Sequence, residues 1–90
     1  MHAVVVKVTV KDFEGGRKML EEDVVPRVKQ APGFVAGYWT SGEGNSGMSM
    51  IVFETEDNAN GAVEFIRSDA GSSDVVTLEG VEVREVVASA

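Results

Sequence analysis

Tyr38 and Trp39 are adjacent in a segment rich in β-formers. Neighbouring residues on a strand point to opposite faces. One ring therefore belongs to a core or an interface, and the other is free to form the wall of a pocket for a flat aromatic molecule. Two cations sit within expected strands, Lys7 and Arg84. Either could anchor a polar group of such a molecule, since an inward-facing cation needs a partner. Trp39, Tyr38, Arg84 and Lys7 are thus the candidate substrate-binding residues. No general base and nucleophile stand at a spacing that marks a catalytic set.

Other chemistry-bearing residues support blander readings. His2 is the only histidine; an imidazole can serve as a base or a ligand, but it lies at a chain end, which is poor ground for a site. Gly42-Glu43-Gly44-Asn45-Ser46-Gly47 matches G-x-G-x-x-G letter for letter. The dinucleotide fingerprint needs a strand before it and a helix after it. Here a strand-like run follows, so a hairpin loop is expected, and Glu43 would repel phosphate. Glu21-Glu22-Asp23 and Glu79, Glu82 and Glu85 lack histidine partners and metal-ligand spacing, so they read as solvated faces. Met48 and Met50 share a strand face and read as adaptable packing. No metal and no cofactor is expected.

The elements that position these residues follow from periodicity. The 90 residues contain 17 Val, 2 Leu and 2 Ile, a composition that suits strands. Valine fills even positions 4 to 10, a period-2 pattern. From residue 12 to 30 the period changes: Phe13, Leu20, Val24, Val28 and Ala31 share one helix face, with Asp12 as N-cap. Gly15 and Gly16 weaken its first turn, and Pro26 predicts a kink or an end near Val25. Phe34 to Thr40 and Met48 to Glu54 form an expected hairpin with a long, flexible loop from Ser41 to Gly47. Thr55 caps a second helix whose apolar face is Ala59, Ala62, Val63, Ile66 and Ala70. After an exit loop, Ala70 to Asp74, the last strand spans about Val75 to Val87, with a bulge expected at Gly80.

The order β-α-β-β-α-β is the ferredoxin-like split motif of an α+β fold: a four-stranded antiparallel sheet with two helices on one face. Residues 1–90 are expected to form a single domain. Both sheet faces carry large apolar residues, and two helices cover only one. A second copy is therefore expected on the other face, giving a homodimer.

The βαββαβ order, with Pro32-Gly33-Phe34-Val35-Ala36-Gly37-Tyr38-Trp39 opening strand two, resembles the dimeric α/β-barrel superfamily, and within it the small antibiotic-biosynthesis-monooxygenase-like proteins. That group includes cofactor-independent quinone-forming monooxygenases, haem-degrading enzymes and members of unknown role. The resemblance implies a dimeric α/β barrel, with a ligand cavity between sheet and helices or within the barrel. In the monooxygenases, Trp, Tyr, Asn and Arg side chains hold the quinone precursor; here Trp39, Tyr38 and Arg84 match by type, and no strand carries an asparagine. The haem-degrading relatives use a histidine on or near the second helix and an asparagine on strand one. This chain has neither, which argues against haem chemistry. The expected function is a binding or structural module, with an oxygenase acting on a small hydrophobic aromatic as the alternative.

A formal net charge of −7 and the absence of cysteine bound the partners. An acidic chain disfavours nucleic acid and anionic membrane, and no disulfide or Cys-based site can form. The longest apolar run, Ala3 to Val6, is too short to span a membrane or to serve as a signal-peptide core. A cytoplasmic location is expected, with a second copy and a small hydrophobic molecule as the candidate partners.

Overall fold

The computed structural model describes residues 1–71 and 76–90. Four strands, β1 (His2–Val10), β2 (Phe34–Ser41), β3 (Ser46–Phe53) and β4 (Val76–Glu85), form one antiparallel sheet in the order β2-β3-β1-β4. Two helical stretches accompany it, one between β1 and β2 and one, α3 (Glu56–Gly71), between β3 and β4. This is an α+β arrangement compatible with a ferredoxin-like architecture. The expected exit loop from Ala70 to Asp74 reaches outside the described residues, as does Val75, the first residue of the expected last strand. The expected packing roles of the Phe13 and Ala70 side chains lie outside the described residues too.

The first helical stretch departs from the simple β-α-β-β-α-β order. It is built of α1 (Phe13–Met19), a π-helical turn (Leu20–Val24) and α2 (Val25–Lys29). Asp12 caps α1, accepting a hydrogen bond from the Gly15 amide at 3.2 Å. Pro26 explains the wider turn. A proline ring inside a regular helix collides with the carbonyl four residues back and has no N–H to offer it. The helical path does not end at Val25: its N–H donates to the Leu20 carbonyl, five residues back, and α2 follows. Exposed pairs Arg17–Glu21 and Arg27–Asp23, at 3.4 and 3.2 Å, flank this turn; each contributes about 0.3–0.5 kcal/mol.

The helix-covered face of the sheet carries Val4, Val6, Ile51 and Phe53, which are buried together with Val28 of α2 and Ala59 of α3. Phe34 meets Phe53 edge to face, with centroids 6.4 Å apart. Ala62, Val63 and Ile66 of α3 pack on this cluster as their spacing predicts. Thr55 caps α3, accepting from the Asn58 amide at 3.1 Å.

Two irregularities set which residues face where. A bulge in β2 between Phe34 and Ala36 shifts its register on β3. Phe34 therefore joins Trp39 on the helix-covered side instead of alternating with it. A second shift, opposite Lys7 and Val8 of β1, falls at Glu79 and Gly80 of β4, where the glycine predicts it.

Turn chemistry is tighter than expected at the hairpin. The loop is Gly42 to Asn45, not Ser41 to Gly47, because Gly44 and Asn45 both take positive φ (65° and 64°). Two such residues match the right-handed twist of paired strands. Ala31-Pro32-Gly33-Phe34 forms a type II turn, closed by Phe34 N–H donating to Ala31 O at 3.2 Å, with Gly33 at φ 77°. A Cβ on Gly33 would strike the Asn58 side chain. Gly33→Ala is expected to cost about 1–3 kcal/mol through backbone strain and this collision. Thermal unfolding followed by circular dichroism checks it; an unchanged melting temperature would contradict it.

Candidate functional site

Between the helix-covered sheet face and the α1–π–α2 stretch lies a cavity of about 590 Å3. Its floor comes from β1 and β3, with Val6, Val8, Ser49 and Ile51, and its wall from Trp39 of β2. Its roof includes Leu20, Val24 and Val25 from the π turn and its junction with α2. The widened turn contributes Leu20 and Val24 to this lining, and such turns recur at functional sites. The rim is polar: Arg17 and Glu21 on the helical side, Ser41 and Ser46 at the hairpin end of the sheet, all exposed.

Trp39 owes its pose to a glycine. A Cβ on Gly37 would meet Trp39 Cη2 and Cζ3 at 2.9 and 3.0 Å. The benzenoid edge of the indole thus lies over Gly37, two residues back on the same face, and any larger side chain there would push the ring toward the cavity or the roof.

The four sequence-selected residues do not converge. Trp39 lines the cavity. Tyr38 is 67% exposed on the opposite face, in a cross-strand row with Met50 and Val5. Lys7, exposed, stands in the next row, opposite Met48. Arg84 is paired with Ala3 in the ladder, and its guanidinium is held by Glu82 Oε1, at 3.0 Å from Nε and 2.9 Å from Nη2. Tyr38, Lys7 and Arg84 therefore belong to the open sheet face. His2 sits on the helix-covered side, its Nε2 3.4 Å from Glu56 and its Nδ1 buried without a partner among the described residues.

Ser49 was not among the residues that sequence reasoning singled out. It is buried, at 9% exposure, in the row Trp39–Ser49–Val6. The signal for it is phase: Ser49 shares the alternation of Ile51 and Phe53, a polar residue on an apolar face.

Among the described residues, no group of three or more His, Asp or Glu stands close enough to hold a metal ion, and no helix is long and apolar enough to cross a membrane. Comparison with protein-family models and with curated proteins finds no match to this chain.

Proposed function

We propose that this chain is a ligand-binding module: a ferredoxin-like domain that pairs through its open sheet face into a dimeric α/β barrel and takes a small, mostly apolar molecule beside Trp39. The observation that carries the ligand reading is the cavity of about 590 Å3, lined mostly by apolar side chains with the rings of Trp39 and Phe65 among them. Pockets for small organic ligands run to roughly 300–1,000 Å3, and this one falls in that range. The pairing reading rests on the open face, where Tyr38, Met48 and Met50 are each 47% or more exposed.

A binding role is favoured over an oxygenase by the cavity's ionisable groups. Among the described residues these are Arg17 and Glu21, both at the rim and engaged with each other. General acid–base chemistry needs a titratable group within reach of the reacting atom, and the buried end offers a hydroxyl and hydrocarbon.

Titration with naphthalene, followed by 1H–15N NMR, tests the ligand reading. Shifts are expected at the Trp39 indole N–H and along Val6, Val8, Leu20 and Val24. Val8→Phe, which pushes a ring into the cavity, is expected to weaken binding at least tenfold while the spectrum stays folded. Shifts confined to Tyr38 and Met50, or none near the solubility limit of naphthalene, would overturn this reading.

A further inference from the structure

We infer that Ser49 is the specificity-determining residue of the cavity, selecting a neutral ligand that carries one hydroxyl or carbonyl oxygen on an otherwise apolar body; this rests on the ligand reading above. The polar groups around the cavity are otherwise engaged or solvated. Arg17 and Glu21 hold each other. Ser46 Oγ donates to Glu43 O at 2.9 Å, and Thr40 Oγ1 to Met48 O at 2.7 Å. Ser49 differs from all of these. It is the buried polar residue of the described core, it lines the cavity floor between Trp39 and Val6, and its hydroxyl has no hydrogen-bond partner among the described residues.

That hydroxyl opens onto the cavity and is not one of the fully buried polar atoms left without a partner; with no internal hydrogen bond to lose, replacing it by an apolar group of similar shape is close to neutral. Serine at this position therefore adds little to the empty protein and gains when a ligand in the cavity supplies a hydrogen bond. A hydroxyl both donates and accepts, so it serves a phenol or a ketone equally. It cannot neutralise a charge, and no cation lines the buried end. A carboxylate would have to give up its hydration with nothing to replace it, so the buried part of the ligand is uncharged.

The test compares 2-naphthol with 2-methylnaphthalene, which have nearly the same shape, by NMR titration of the wild-type chain and of Ser49→Ala. The wild type is expected to bind 2-naphthol about 3- to 10-fold more tightly. Ser49→Ala is expected to remove that preference and to leave 2-methylnaphthalene binding within about twofold of wild type. The ligand-free variant is expected to melt at the wild-type temperature or above it. Equal binding of both probes by the wild type, or a preference that survives in Ser49→Ala, overturns the assignment while the cavity remains a ligand site. So does a melting temperature more than about 3 °C below wild type, which would mean that the hydroxyl supports the fold. If neither probe binds, the ligand reading itself falls, and the role of Ser49 falls with it.

Discussion

Phe53→Ala is expected to lower the stability of the fold by about 3–5 kcal/mol. Phe53 is 1% exposed and closes the core beside Val4 and Ile51, with the Phe34 ring edge-on to it. Truncating such a ring removes its transfer free energy and leaves a cavity, together about 3–5 kcal/mol. A chain of 90 residues has a total stability of about 5–13 kcal/mol, so the loss takes a large share of it. Urea unfolding monitored by circular dichroism measures the change. Phe65→Ala is the matched control: Phe65 is 41% exposed on α3, with Arg27 5.0 Å from its ring centroid, and its loss is expected to cost about 1 kcal/mol. Equal costs for the two variants would mean that the core is centred elsewhere.

Met50→Glu is expected to convert a dimer into monomers with little change in the monomer's secondary structure. Met50 lies in the middle of the open face, in the row Tyr38–Met50–Val5, and is 47% exposed. On a free surface a glutamate there is hydrated and nearly neutral in cost. Between two apposed sheets it is desolvated without a partner, at several kcal/mol, which weakens association at least 100-fold. Sedimentation at micromolar concentration decides the matter. The wild type is expected at about twice the 9.6 kDa chain mass and the variant at the chain mass. A wild type that sediments as a single chain would sink the pairing proposal.

Much of the fold was legible because its signals are local. The valine alternation of β1 requires only period 2, and Asp12 and Thr55 announce helix starts through side chains that reach amides three residues on. Gly80 marks its bulge for a similar reason. The misses are places where several local solutions exist. Pro26 signals a fault in the helix but not its form, which is a π turn just upstream. The β2 bulge adds one residue and reverses the faces assigned to Phe34 relative to Trp39, which no alternation rule foresees. The candidate site was harder still. Its cavity depends on how far the helical stretch stands from the sheet, a spacing that alternation and helical periodicity do not encode. Ser49 is an ordinary serine until Ile51 and Phe53 are seen to share its face.

The sheet order leaves β2 and β4 as its edges, and the two are defended differently. Along β4, Glu79, Glu82, Arg84 and Glu85 place charge on the strand and discourage a stray partner. Along β2, from Phe34 to Ser41, there is no charged residue and no proline. Its backbone is open to edge-to-edge pairing of the kind that starts aggregation, interrupted locally only by the bulge at its beginning. Face-to-face association would leave that edge as bare as before. Its protection is then collective: the charge of −7 on the whole chain, which keeps copies at a distance before their edges can meet.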